Sequence, residues 1–211
     1  MLPLDSVPMR WLLLLLMLSL AGCQYMRSPE AKASPGIEST DIGSIAAPYR
    51  KLADEGVAVY RLDAADSDVR IHVFRGGRAA RVGHNHLLQL PRLEGYVAVP
   101  TEAVSDAHFD LRFALEDLVL DDPALRAETG GAFADPLSES DIQATRRNML
   151  GTRVLDADNH PEVRLRSRQI GGDWPFLLAR VVVTLHGQES EHEVLLRVTR
   201  DAERMRVQGQ L

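Results

Sequence analysis

One cysteine, Cys23, stands in 211 residues, so no disulfide can form within the chain and the fold must rest on its hydrophobic core. A basic excess is missing too. The chain has 24 Lys and Arg against 30 Asp and Glu, a net charge of −6. That balance argues against a nucleic-acid partner and against charge-driven attachment to anionic lipid. After the leucine-rich N-terminus no second long apolar segment follows, so no further membrane span is expected. Catalytic signatures are lacking as well. There is no Gly-x-Ser-x-Gly, no phosphate-binding loop, no dinucleotide fingerprint and no His-x-x-x-His spacing. Glu116-Asp117 and Asp121-Asp122-Pro123 are acidic clusters, but Pro123 marks a turn and the charges are read as solvated. The chain is therefore not read as an enzyme.

The N-terminus carries a positive signal. Met9-Arg10 gives a short basic start, and Trp11 to Leu20 is an apolar run of signal-peptide length, too short to span a bilayer. Leu20-Ala21-Gly22-Cys23 follows at once and resembles the bacterial lipobox. The resemblance implies cleavage before Cys23 and acylation of its thiol. The alternatives are an ordinary secretory signal with a chance cysteine, or a short anchor. Residues 24–48 contain Ser28-Pro29 and Ala33-Ser34-Pro35-Gly36 with few bulky apolar side chains, the composition of a flexible tether. The expected division is 1–22 signal peptide, 23–56 acylated N-terminus and tether, 57–211 folded domain.

Within the domain, period-2 patterning dominates. Val57 to Asp63 reads as a strand, as does Val69-Arg70-Ile71-His72-Val73-Phe74. Phe109, Leu111 and Phe113 alternate with Asp110 and Arg112. Val163-Arg164-Leu165-Arg166 alternates, Val181 to Leu185 is a β-branched run, and Val194, Leu196 and Val198 alternate again. Gly76-Gly77, Gly130-Gly131 and Gly171-Gly172-Asp173 supply turns. Many antiparallel strands with one wet face predict an all-β sandwich or closed barrel. One helix interrupts them. Ser140 and Gln143 form a capping box, Ile142, Thr145 and Met149 share a face, and Gly151 and Pro161 prevent continuation.

Met149 to Asp156, followed by Asn159-His160-Pro161-Glu162-Val163, resembles the YceI-like family. So does Leu178 to Gly187, which ends in a Leu-His-Gly turn. Tyr60 to Asp63, Ser67 to Val73 and Gly95-Tyr96-Val97 fit its first strands, and the likeness runs from about Val57 to Leu211. The resemblance implies an extended, antiparallel, lipocalin-like β-barrel with a helical lid segment. It implies the binding of a long apolar ligand, such as a polyisoprenoid or a fatty amide, in the envelope. Val69, Ile71, Val73, Phe109, Leu111, Phe113, Val181, Val183, Leu185, Val194, Leu196 and Val198 would then line a cavity. Without the resemblance, the same alternation describes a filled core.

The chain departs from that pattern twice. It ends at Leu211 just where Met205-Arg206-Val207 has begun a strand, so the barrel is expected to be truncated or open. An open edge would offer pairing with another strand, as in a homodimer. The second departure is Gly83-His84-Asn85-His86. In an extended segment His84 and His86 project from one face, within reach of one ion. His72, His108 and His186 are the available third ligands. The competing reading is a turn whose histidines bond locally. His160 is read as a pre-proline loop residue, His186 as capping strand ends, and His192 as lying on a solvated face. Arg164, Arg166 and Arg168 form the wet face of one strand and are candidates to grip an anionic headgroup at the barrel mouth.

The combined expectation is an envelope lipoprotein that binds an amphiphilic lipid and holds no other cofactor. Gln24 after the cysteine favours the outer membrane, facing the periplasm, by family analogy. The rival is a metal- or haem-binding, redox-linked module built on His84 and His86.

Overall fold

A computed structural model describes residues 45–77, 83–201 and 203–211. The signal segment, Cys23 and most of the stretch read as tether lie outside the described residues.

The alternating segments become two antiparallel sheets. Ten strands stand among the described residues: β1 Ala58–Arg61, β2 Arg70–Val73, β3 His86–Gln89, β4 Glu94–Val99, β5 His108–Ala114, β6 Val119–Leu120, β7 Glu162–Asp173, β8 Phe176–Leu185, β9 Gln188–Arg200 and β10 Met205–Gly209. Seven form one curled sheet in the order β1-β4-β5-β7-β8-β9-β10, and β2-β3-β6 form the second. The architecture is all-β and lipocalin-like, a half-barrel with few short helices. Edge strands β1 and β10 do not pair with each other. They are linked at one end, where the Tyr60 hydroxyl of β1 donates to the Asp201 carbonyl at 3.2 Å, in the β9–β10 turn.

Two details of the large sheet depart from the expected pattern. The Gly171-Gly172-Asp173 segment is not a turn. β7 runs through it, paired to β8 from Arg164↔Thr184 to Asp173↔Phe176. A bulge between Ser167 and Gln169 shifts the phase, so Ile170, not Gln169, enters the core. The β8–β9 hairpin closes on His186 and Gly187, with φ of 52° and 67°, flanked by the pair Leu185↔Gln188. Two central residues at positive φ give the turn that matches strand twist.

Three α-helices stand among the described residues where one was expected: α1 Ala46–Asp54, α2 Pro123–Thr129 and α3 Glu139–Leu150. Helix α1 occupies the last part of the segment read as tether. Its Tyr49 is buried, stacked on Tyr96 of β4 with ring centroids 5.3 Å apart. Helix α2 begins within the acidic cluster read as a solvated turn. Asp122 caps it by accepting from the Leu125 amide at 2.8 Å, and Pro123 takes the first helical position, where no amide hydrogen is needed. The cap of helix α3 lies two residues before the expected one. Ser138, not Ser140, accepts from the Asp141 amide at 3.2 Å, and Gln143 turns its amide to Glu139 instead of reaching back.

The core forms two main clusters. The small sheet and α3 cover one end of the large sheet, through Leu88, Leu90, Leu120 and Ile142 against Phe113 and Val163. At the other end Ile170, Leu177, Val181, Val194 and Val198 pack with Ala107. Leu165 and Val183, paired across β7 and β8, pack against both clusters.

Candidate functional site

The register places an apolar row across the inner face of the large sheet. Gly95 pairs with Leu111, Leu111 with Leu165, Leu165 with Val183 and Val183 with Ser190, crossing β4, β5, β7, β8 and β9. At Gly95 a side chain would run into Leu111 Cδ2, so glycine there lets Leu111 lie flat against the sheet. Leu111, Leu165 and Val183 are half-buried, whereas the clusters on either side are buried. The row is thus an apolar band, incompletely covered, between two packed ends. It finishes in polar groups, because Ser190 and His192 share the inner face of β9 with Val194 and are exposed, with Ser190 Oγ 2.9 Å from His192 Nε2.

The residues expected to line a cavity divide accordingly. Phe113, Val181, Val194 and Val198 are buried in the packed ends. Phe109, Leu111, Val183 and Leu196 are half-buried, as is Val69, which packs against the first cluster. Ile71, Val73 and Leu185 are exposed. Ile71 pairs with Leu88 and Val73 with His86, so both stand on the rim of the small sheet on its core-facing side.

Arg164, Arg166 and Arg168 lie on the opposite, outer face of β7, and each is matched by a carboxylate. Arg164 donates from Nε and Nη2 to Asp110 Oδ1 at 3.0 and 2.7 Å. Arg166 pairs with Glu189 at 3.0 Å and Arg168 with Glu191 at 3.3 Å. Alternation turns Arg164 and Arg166 away from the apolar band, and Arg168, at the bulge, pairs with Glu191 beside them, so the three knit neighbouring strands instead of presenting free guanidinium groups to a headgroup.

The His84-Asn85-His86 segment meets a buried acid. Asp121 is fully buried at φ 54°. Its Oδ1 accepts from the Leu87 amide at 2.9 Å and from Arg126 Nη1 at 2.5 Å. Its Oδ2 lies 2.7 Å from His86 Nδ1. Arg126, also buried, donates further to the carbonyls of Asn85 and Asp135, each at 2.9 Å. His86 therefore belongs to a buried network that joins β3 to α2. His84 is exposed. His72 and His108 sit elsewhere, His72 edge-on to Phe133 at 5.2 Å and His108 beside Tyr49 at 5.7 Å.

Among the described residues a different trio brings potential ligand atoms together. Asp156, His160 and His186 each place one such atom within 4.8 Å of the others. Asp156 and His160 come from the segment between α3 and β7, and His186 from the β8–β9 turn. The imidazole centroids are 5.0 Å apart, tilted by 34°. His186 Nδ1 lies 2.9 Å from the Val154 carbonyl, and Asn159 Nδ2 contacts both carboxylate oxygens of Asp156, at 3.1 and 3.0 Å. Sequence inspection singled out His160 and His186 separately and missed Asp156. No local pattern marks Asp156: what sets it and His186 apart is a positive φ, 47° and 52°, seen only in the folded chain.

A surface cleft lies against Pro91, Leu118, Val119 and Gln143 and reaches Asp121 and Asp122 at its edge. Among the described residues no helix is long and apolar enough to cross a membrane. No family model matches the chain, and no curated protein does. Among solved structures, the crystal structure of Burkholderia cenocepacia BcnA is similar, at a TM-score of 0.49 and 12% identity, over 70% of this chain and 77% of that one. A likeness of that size carries no functional weight.

Proposed function

We propose that this is an envelope lipoprotein of the YceI-like kind, anchored through acylated Cys23, that holds the apolar chain of an amphiphilic lipid in its half-barrel without covalent chemistry. The observation that supports the reading is the half-buried row Leu111–Leu165–Val183, left between two packed clusters and ending at exposed Ser190 and His192. An apolar chain laid along that band gains about 0.8 kcal/mol per methylene buried, so ten methylenes supply about 8 kcal/mol before ordering costs. Ser190 and His192 offer hydrogen-bond partners at the open end, where a polyisoprenoid phosphate or a fatty amide would place its polar group. In this reading they take the headgroup role first considered for Arg164, Arg166 and Arg168.

Organic extraction of the purified full chain followed by mass spectrometry tests the reading directly, together with titration by a fluorescent fatty acid. Wild type is expected to yield a long-chain amphiphile and to bind the probe. Val183→Phe adds bulk to the middle of the band. It should lower probe affinity at least tenfold at a stability cost of about 1–3 kcal/mol. Neither extracted lipid nor probe binding in wild type, or unchanged probe affinity in the variant, would overturn the proposal.

A further inference from the structure

We infer that Asp156, His160 and His186 form a binding site for a divalent transition-metal cation of the zinc class, independent of the lipid reading. Two imidazoles and one carboxylate are a ligand set that such ions accept, with a fourth position left for water. The three potential ligand atoms already lie within 4.8 Å of one another. A zinc ion bonded to each at about 2.0–2.2 Å would draw them to roughly 3.3 Å apart, a contraction within reach of side-chain rotation.

The supporting groups match what a ligated site needs. A metal-binding histidine typically donates its second nitrogen to a carbonyl or carboxylate, which fixes ring and tautomer. His186 does this through Nδ1 to the Val154 carbonyl at 2.9 Å, which leaves Nε2 as its ligating atom. Asn159 holds the Asp156 carboxylate through both oxygens. The backbone is also committed. Asp156 and His186 both adopt positive φ, which costs a non-glycine residue free energy, and His160 is constrained by Pro161. At Gly187 a side chain would come within 2.7 Å of His160 Cε1, so the glycine admits the second imidazole. Backbone strain does not itself call for a metal. It does show that two turns far apart in sequence are held in the conformations that bring the trio together. A bound ion would clip the β8–β9 turn to the segment leading into β7.

The test uses the untagged full chain, stripped with chelator and titrated with zinc alone by calorimetry, with thermal unfolding followed in parallel. Wild type should bind one equivalent and melt at higher temperature with zinc. Asp156→Asn combined with His160→Gln should abolish the binding, and asparagine keeps the positive φ at 156 accessible. Asn159→Ala, at an exposed position, should weaken zinc binding about 10–100-fold while leaving the metal-free melting curve in place. His84→Ala should leave binding unchanged. Three results would sink the inference: no stoichiometric zinc in wild type, unchanged affinity in the double variant, or loss of the site with His84 instead.

Discussion

The Tyr49 hydroxyl donates to Asp110 Oδ2 at 3.2 Å, from a side chain only 1% exposed, and thereby fastens α1 to the outer face of the large sheet. Burial, and next to it the Asp110 carboxylate, push the tyrosine pKa well above its ordinary value of 10. The sign of the pH effect follows. Below pH 10 the hydroxyl is protonated in both folded and unfolded chains, and its contribution is fully present. Above pH 10 the unfolded chain releases that proton while the folded one keeps it, so stability falls as pH rises through the window up to the folded pKa. Over that window Tyr49 should contribute a slope of about 1.4 kcal/mol per pH unit. Urea unfolding of wild type and Tyr49→Phe between pH 9 and 11.5 checks this. The wild-type curve should fall more steeply above pH 10, and equal slopes would mean the hydroxyl is not held neutral.

Arg126 should prove more important to the fold than its place on a short helix suggests. It is 4% exposed and faces Asp121, which is fully buried. Removing one member of a buried ion pair leaves the other charge without compensation, at about 3–5 kcal/mol. Arg126→Met is therefore expected to lower the urea midpoint severely. Asp121→Asn added to it should recover part of the loss, because asparagine carries no charge and tolerates the positive φ. Additive losses in the double variant would show that the two residues do not act as a pair.

How much of this was legible in the sequence depended on whether one face of an element stayed wet. In β5 the outer face is partly covered by α1, yet it keeps the polar residues Asp110 and Arg112, so Phe109, Leu111 and Phe113 still alternate. In β9 one face did stay wet, and Val194, Leu196 and Val198 announced the strand by alternation. In β3 it did not. Leu87 and Leu88 are 0% and 4% exposed on opposite faces, so the strand has no period-2 signature, and its start at His86 read as a turn. The bulge between Ser167 and Gln169 hid the second half of β7 by shifting its phase. Helix α1 was obscured because its stretch follows proline- and serine-rich sequence and one aromatic residue, Tyr49, carries the packing. Asp121 and Asp122 are chemically alike, yet one is buried against Arg126 and the other caps α2, a distinction only tertiary contacts make. The Asp156–His160–His186 trio depends on the β7–β8 hairpin returning to the segment where it began, so no local spacing encodes it.

His84 and His86 should separate under mutation. Two ligands of one ion would be lost together, but here His86 contacts Asp121 and His84 is exposed. His86→Ala leaves Asp121 Oδ2 without its imidazole partner, a loss of about 1–3 kcal/mol. His84→Ala should change stability by under about 0.5 kcal/mol. Urea midpoints of the two single variants are the measurement. Matching effects on stability, accompanied by loss of bound metal or haem in both, would restore the rival function built on this pair.

The anchoring proposal stands or falls on Cys23. Only a thiol can take the diacylglycerol, so Cys23→Ser should leave the precursor unacylated. Stable attachment needs two or more acyl chains, each contributing about 0.8 kcal/mol per methylene buried in the bilayer, and the net charge of −6 offers no electrostatic substitute on an anionic surface. Wild type expressed in a bacterial host should incorporate labelled fatty acid and remain with membranes through a high-salt wash. The serine variant should take up no label. An uncleaved signal segment would still hold some of it at the membrane, so the label, not the fractionation alone, decides. Fatty-acid incorporation into Cys23→Ser, or none into wild type, would remove the lipoprotein reading and leave the half-barrel without its proposed tether.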